Sequence, residues 1–175
     1  MYGARERRIY SEHRTRSTEH VNMIYTSKEE FISQIGKGGQ LLGVDIGSKT
    51  LGLAISDSTL TIATPLKTIN RKKFTLDIKI LEDILKQNSI AGIVVGLPLG
   101  MDGKEGPATQ SVRQFVRNFL KEYDYPVIFQ DERMSTSAVE RTLLDADMSR
   151  AKRGEVIDKM AASYILQGFL DGLKK

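Results

Sequence analysis

An aspartate inside a short apolar hairpin constrains this chain more than any other feature. Residues 40–57 read QLLGVDIGSKTLGLAISD, in which two apolar runs, 41–44 and 51–55, flank a tight turn at 47–49. This pattern predicts a β-hairpin. A carboxylate in an apolar strand is costly unless it is paired or bound to a metal, and Asp is a poor strand former. Asp45 therefore requires a specific role.

Three interpretations of Asp45 compete. In the first, it is a turn residue that caps backbone amides of the Gly47 bend. In the second, residues 43–50 form a phosphate-binding loop. However, Ser48 stands where that motif requires Gly, and the next run predicts a strand rather than a helix. In the third, Asp45 is a metal-binding carboxylate at the carboxyl end of a strand, where Gly43 and Gly47 let a ligand or backbone approach closely.

Composition excludes several kinds of chemistry. The 175 residues suffice for one domain, and 40% hydrophobic and 27% charged residues are ordinary for a globular protein. No apolar run approaches the roughly 20 residues that span a bilayer, and there is no Cys, so we expect a cytoplasmic protein without membrane contact. Both histidines, His13 and His20, precede the predicted folded part, which excludes Ser–His and Cys–His catalysis. An enzyme of this composition would use carboxylates and hard cations such as Mg²⁺ or Mn²⁺.

The N-terminal region differs from the rest of the chain. Residues 1–22 lack periodic apolar residues and hold five Arg against three Glu, which predicts a disordered basic arm. Residues 26–36 predict a short helix capped by Thr26 or Ser27 and ended by Gly36. The net charge of +4 permits a nucleic-acid partner without requiring one.

The order of predicted elements indicates an α/β fold. A third strand, interrupted by Pro65, follows the hairpin, and proline favours an edge strand or a bulge there. Helices and apolar strands then alternate, which predicts parallel strands with helices on both faces. We therefore expect a five-stranded mixed sheet, an antiparallel three-strand meander plus two parallel strands. In the helix that begins near Pro107, Arg113 and Arg117 lie off the apolar stripe and are expected to face solvent.

Unusual residues follow three of the predicted strands. Ligands of such sheets bind beyond the carboxyl ends of the strands, where Asp45, a Gly96–Leu97–Pro98 loop and Asp131–Glu132 stand. Asp158 is expected in the first turn of the last helix, predicted over residues 155–170, and small residues after it would let that turn approach the sheet. Taken alone, Asp158 could complement the helix dipole, and Asp131–Glu132 could be a surface turn. Together, the acids predict a cage for divalent ions that could clamp a phosphoryl displacement.

Four segments, in this order and at these spacings, resemble the RuvX/YqgF family of Holliday junction resolvases or pre-16S ribosomal RNA nucleases. The resemblance covers about residues 40–172 and implies an RNase H-like nuclease domain over 40–175, with the arm and short helix of residues 1–39 outside it. The segments are GVDIGSKTLGLAISD at 43–57, GIVVGLPLGMDGKEGP at 92–107, DERMST at 131–136 and IDKMAASYILQGFLD at 157–171.

The resemblance implies roles for individual residues. Asp45, Glu132 and Asp158 would be catalytic acids that bind one or two Mg²⁺ or Mn²⁺ ions, with Asp131 as a further catalytic acid or a substitute ligand. The strand that leads to Gly96 lacks the acid that related resolvases carry there. Substrate phosphates would be oriented by Lys49, Arg133, Ser135, Thr136 and Lys152, and the segment with Gly96, Pro98 and Gly103 would form a mobile flap at 100–106.

These features predict a metal-dependent endonuclease acting on structured nucleic acid. By the resemblance, 5′-end maturation of pre-16S rRNA is the first candidate activity, and resolution of four-way DNA junctions is the second. A nucleic-acid-binding ribosome assembly factor that does not cleave stays open, whereas an actin-like ATPase would need a second domain. The expected partner is nucleic acid, and the expected state is a monomer or a homodimer.

Overall fold

The structure is a computed structural model that describes residues 23–133 and 149–174. The predicted basic arm at 1–22 and a predicted helix capped by Ser137 and Glu140 lie outside the described residues. The strands are β1 (Ile24–Tyr25), β2 (Gln40–Ile46), β3 (Thr50–Ser56), β4 (Ala63–Asn70), β5 (Ile90–Leu97) and β6 (Val127–Asp131). The helices are α1 (Lys28–Ile35), α2 (Phe74–Gln87), α3 (Pro107–Leu120) and α4 (Arg150–Asp171), and a 3₁₀ turn, Gly172–Lys174, follows α4.

The described strands form one mixed sheet in the order β1-β6-β5-β2-β3-β4. Strands β2, β3 and β4 make the predicted antiparallel meander, and β5 and β6 add the two predicted parallel strands. The predicted number of strands was wrong, because β1 adds a sixth. This two-residue strand pairs in parallel with Val127 and Ile128 of β6. Its pairing comes from a distant segment, so the local sequence does not indicate it.

Proline shapes the edge of the sheet as predicted. Strand β4 is the last strand, with β3 as its only neighbour within the described sheet. Leu53 pairs with Lys67 whereas the next residue, Ala54, pairs with Pro65, so the register shifts by one residue at the proline. Pro65 therefore combines both expected outcomes, an edge position and a bulge.

Helices cover both faces of the sheet, which gives two apolar layers. On one face α2 and α3 pack on residues that include Val44 and Val95, whereas on the other face α1 and α4 pack on residues that include Leu41 and Val94. The alternation of Val94 and Val95 between the two layers explains why β5 is apolar throughout.

Helix α1 belongs to this core although it precedes the segment that resembles the family. Ser27 is its N-cap, as predicted, and the Ser27 hydroxyl accepts a hydrogen bond from the Glu30 amide at 3.3 Å. Phe31 is fully buried, and its ring meets the Phe169 ring of α4 edge-on at a centroid distance of 5.6 Å. The contact joins the short N-terminal helix to the last helix.

Helix α4 begins earlier than predicted. The sequence suggested a start at Glu155, but Ser149 caps a helix that begins at Arg150 and continues through Gly154. The favourable cap and the length of the helix outweigh a glycine that costs about 1 kcal/mol relative to Ala. Asp158 consequently lies in the third turn and not in the first, where a helix dipole would favour an acid.

Among residues 23–133 and 149–174, no helix combines the length and the apolar character that crossing a bilayer requires.

Gly43 lets α4 approach β2 closely, and this contact generates a stability prediction. A Cβ at residue 43 would lie 2.7 Å from Leu166 Cβ and 2.9 Å from the Ala162 carbonyl oxygen. Because the helix backbone cannot yield easily, Gly43→Ala should lower the free energy of unfolding by about 1–3 kcal/mol. Gly168→Ala, at an exposed position of α4 where the added Cβ would meet only Gln130 Nε2 at 3.9 Å, is the control and should not lower stability. Equal urea midpoints for the two variants would contradict this packing.

Candidate active site at the carboxyl ends of the central strands

Asp45 lies near the carboxyl end of β2, in the middle of the sheet. It pairs with Gly52 of β3, and the Gly47 amide closes the predicted hairpin turn by donating to the Thr50 carbonyl at 2.9 Å. The segment after the turn is strand β3 rather than a helix, which rules out the phosphate-loop interpretation. Asp45 is therefore a ladder residue in a central strand, and its side chain is half-buried.

Glu132 reaches the same region from β6. Strand β6 ends at Asp131, and the Glu132 amide extends the pairing by donating to the Leu97 carbonyl of β5 at 3.3 Å. The Glu132 carboxylate lies over the backbone of Gly96. A Cβ at residue 96 would stand 2.9 Å from Glu132 Cδ and 2.5 Å from Ile165 Cδ1. The missing side chain of Gly96 thus provides the space that the Glu132 carboxylate occupies.

Strand register brings Glu132 toward Asp45. Val44 of β2 pairs with Val95 of β5, so the residues that follow them, Asp45 and Gly96, stand at the same level of the sheet. Burial, together with the negative charges of Asp45 and Asp131, raises the pKa of Glu132 to about 7. Two carboxylates from strands far apart in the sequence therefore influence each other in one partly buried place.

Asp131 points to a different partner. Arg133 Nη2 donates to Asp131 Oδ2 at 2.6 Å, and Arg133 Nε donates to the same oxygen at 2.8 Å. The Arg133 amide donates to Asp131 Oδ1 at 3.0 Å. These hydrogen bonds hold the pKa of Asp131 below its usual value. A local ion pair with Arg133 therefore engages Asp131, whereas Glu132 is the acid that lies toward Asp45.

The predicted flap is a hydrogen-bonded loop that contacts Arg133. Leu99 and Glu105 form a β-bridge, and the Gly100 amide donates to the Lys104 carbonyl at 2.9 Å. Gly103 adopts a φ of +79°, and a Cβ there would lie 3.3 Å from Arg133 Nη1. Mobility of this loop stays a prediction.

Two side chains of α3 anchor the loop through partners that the sequence did not indicate. Arg113 was expected to face solvent and is partly exposed. Its Nε donates to Glu105 at 2.9 Å, and its guanidinium lies over the Phe129 ring at 4.9 Å, whereas Arg117 is exposed as predicted. Thr109 is fully buried, and its hydroxyl donates to the Pro98 carbonyl. A polar residue on the inner face of the predicted helix was the only sequence signal for Thr109.

Helix α4 approaches the two acids through small residues, as predicted. Ala162 is fully buried and its carbonyl lies against Gly43, and Ile165 lies against Gly96. Asp158 precedes Ala162 by four residues, which is about one helical turn. The Asp158 side chain lies outside the described part of the structure, so its contribution to the site stays a prediction.

The predicted phosphate-binding residues have mixed outcomes. Lys49 is exposed in the hairpin turn, and Lys152 is exposed in the first turn of α4. Arg133 is placed by Asp131 and faces the loop. Ser135 and Thr136 lie outside the described residues. Arg133 contacts Asp131 and Gly103, and the substrate roles of all these residues stay predictions.

The donor set suits a hard divalent cation. The described acids offer only carboxylate oxygens, and the pKa of Glu132 is raised partly because a second negative charge is close, which a bound cation would neutralise. No group of three or more His, Cys, Asp or Glu is arranged to hold a metal ion among the residues whose side chains are described. Asp158, whose side chain is outside that set, is the predicted source of a third carboxylate ligand.

Comparisons with known proteins agree with this architecture. A profile of the RuvX family, described as "Holliday junction resolvase", matches residues 39–172. A protein of Paramagnetospirillum magneticum named "Putative pre-16S rRNA nuclease" is 54% identical over 142 residues, covering 81% of this chain and 92% of that protein. A protein of Roseobacter denitrificans with the same name is 50% identical over 154 residues, covering 87% of this chain and 94% of that protein.

A solved structure shares the fold at low sequence identity. T. thermophilus RuvC in complex with a Holliday junction substrate superposes with a TM-score of 0.50 and 14% identity, over 78% of this chain and 97% of that one. The sheet order, the two carboxylates at the strand ends and the match over residues 39–172 lead to one conclusion. This chain belongs to the RuvX family and has its RNase H-like fold.

Proposed function

We propose that this protein is a metal-dependent endonuclease that hydrolyses phosphodiester bonds in structured nucleic acid, with the 5′ end of pre-16S rRNA as its first candidate substrate. Membership of the RuvX family makes the chain a nuclease, and the proposal specifies its cofactor and substrate. One observation carries it: the Glu132 carboxylate lies over Gly96 in the electrostatic field of Asp45, where burial raises its pKa to about 7.

Asp45, Glu132 and Asp158 would hold one or two Mg²⁺ or Mn²⁺ ions. A divalent cation in this place supplies Lewis-acid stabilisation of the charge that develops on the scissile phosphate. Near neutral pH and without metal, the Glu132 carboxylate is protonated in part of the molecules. A bound cation favours the ionised carboxylate, so cation binding would release this proton.

Cationic side chains would orient the substrate. Arg133 is fixed by Asp131 and lies against Gly103, so its guanidinium sits between Asp131 and the loop. A planar guanidinium binds phosphate oxygens through paired hydrogen bonds, and fixing it in advance reduces the entropy lost on binding. Lys49 and Lys152 would add exposed positive charge along the bound nucleic-acid strand. Ser135 and Thr136 would contact phosphates beside Arg133.

The names of the relatives favour precursor ribosomal RNA, and a second substrate has its own support. The family description and the RuvC complex both refer to Holliday junctions. Four-way DNA is therefore the second candidate substrate, and parallel assays on the two nucleic acids distinguish the candidates. A non-cleaving assembly factor would bind without cutting either substrate at any concentration of Mg²⁺ or Mn²⁺.

Asp45→Asn tests the proposed chemistry. Removing one carboxylate charge should lower kcat by about a hundredfold or more, because the loss of cation stabilisation amounts to several kcal/mol. Cleavage of end-labelled pre-16S rRNA and of a four-way junction is measured with Mg²⁺, with Mn²⁺ and with EDTA. Asp83→Asn, an exposed acid on α2, is the matched control and should keep wild-type activity. Wild-type rates in Asp45→Asn would refute the assignment.

Gly96→Ala tests whether the position of the Glu132 carboxylate depends on the absence of a side chain at residue 96. The added Cβ would overlap the Glu132 carboxylate and displace it, so kcat should fall at least about tenfold while the protein stays folded. Gly92→Ala is a matched control on the same strand. Its Cβ would crowd Phe31 Cζ at 2.9 Å, far along the strand from the acids, and should lower stability without lowering kcat. Equal kcat losses in both variants would show that crowding of β5, and not Glu132, is responsible.

The raised pKa of Glu132 predicts a pH dependence of stability without metal. The folded protein binds a proton at Glu132 up to about pH 7, whereas the unfolded chain releases it near the ordinary glutamate pKa of 4.5. The contribution of Glu132 to stability is therefore fully present below about pH 4.5 and is lost as the pH rises to about 7. In EDTA, Glu132→Gln should match wild type at about pH 4 and exceed its stability at pH 8. The exposed Glu122→Gln is the control, and a difference between wild type and Glu132→Gln that does not change with pH would contradict the raised pKa.

A further inference from the structure

A buried carboxylate that the proposed chemistry does not use lies behind the Asp45 hairpin. Asp77, in the first turn of α2, is 1% exposed, and its Oδ1 accepts a hydrogen bond from the Lys72 amide at 3.0 Å. Its Oδ2 is buried, lies 3.6 Å from Arg71 Nε and accepts no hydrogen bond among the described residues. The free-energy cost of burying a carboxylate exceeds the stabilisation that a helix dipole provides. Stability alone therefore does not explain the buried pair of Asp77 and Arg71.

Arg71 connects this carboxylate to the turn of the hairpin. Its Nη1 donates to the Gly47 carbonyl at 2.7 Å, and its amide donates to the Lys49 carbonyl at 2.8 Å. The guanidinium also lies 5.4 Å from the centre of the Phe115 ring, which restricts its rotation. A single residue thus fixes both ends of a three-residue turn.

The turn follows Asp45 by one intervening residue. On one side β2 is held by its ladder with β3, in which Asp45 pairs with Gly52. Beyond Ile46, the chain leaves the ladder and its path is set by the turn, which Arg71 holds from outside. A change in that path would alter the backbone at Asp45 and therefore the direction of its carboxylate.

We propose that Arg71 and Asp77 are positioning residues that set the Asp45 carboxylate against Glu132 for cation binding. This inference rests on the proposed function and extends it to the region behind the turn. Asp77 orients the Arg71 guanidinium, and the guanidinium fixes the Gly47 carbonyl. A purely structural pair would instead stabilise the junction of α2 and β4 without affecting the geometry of the acids.

Arg71→Lys and Asp77→Asn distinguish these roles. Lysine keeps a positive charge near Asp77 but lacks the planar fork that reaches both partners. Asparagine keeps an acceptor for the Lys72 amide but loses the charge that orients Arg71. Both variants should lower kcat by about tenfold to a hundredfold with KM within about twofold, and should raise the Mg²⁺ concentration for half-maximal activity. Hydrogen exchange of the Gly47 and Arg71 amides should accelerate in both variants.

Leu85→Ala is the control for general loss of stability. Leu85 is buried in the same helix, at the end away from the turn, so its truncation should weaken packing without changing the hairpin. All variants are compared at a temperature at which circular dichroism shows them fully folded. Unchanged amide exchange in Arg71→Lys, or an equal loss of kcat in Leu85→Ala, would overturn the inference. If wild type cleaves no substrate, the proposed function fails, and amide exchange alone decides whether the pair fixes the turn.

Discussion

Burial of the Glu132 carboxylate in the field of a second acid, Asp45, is the constraint on which this site depends. Desolvation, followed by the negative charges of Asp45 and Asp131, raises the pKa of Glu132 to about 7. A protein gains no stability from such an arrangement in its metal-free state. A buried carboxylate with a raised pKa is typical of functional sites, and a bound divalent cation would stabilise its ionised form.

The surrounding residues make this close approach possible. Gly96 provides the volume for the Glu132 carboxylate, and Gly43 lets the backbone of α4 reach β2. Arg133 engages Asp131 in a separate ion pair, so Asp131 and its neighbour Glu132, at the end of β6, have different environments. The absence of a side chain at these two glycines therefore leaves room for a carboxylate at Gly96 and for a helix backbone at Gly43.

Local patterns in the sequence were sufficient to predict the hairpin, the meander, the alternating units and the acids at the strand ends. They failed where distant segments decide the outcome. The pairing of Ile24–Tyr25 with β6 is not indicated by the local sequence. Gly154 suggested that α4 begins after it, but the cap at Ser149 starts the helix before this glycine. Local patterns also did not indicate side-chain partners: the contact of the Arg113 guanidinium with the Phe129 ring and the role of Gly96 require the folded arrangement.

X-ray diffraction from Mn²⁺-soaked crystals tests most directly whether these carboxylates form a cation site. Anomalous scattering locates manganese independently of any assay of cleavage. We expect a peak coordinated by the carboxylates of Asp45 and Glu132, with Asp158 completing the set. Manganese bound only at other acids, or no peak at millimolar Mn²⁺ near neutral pH, would contradict it.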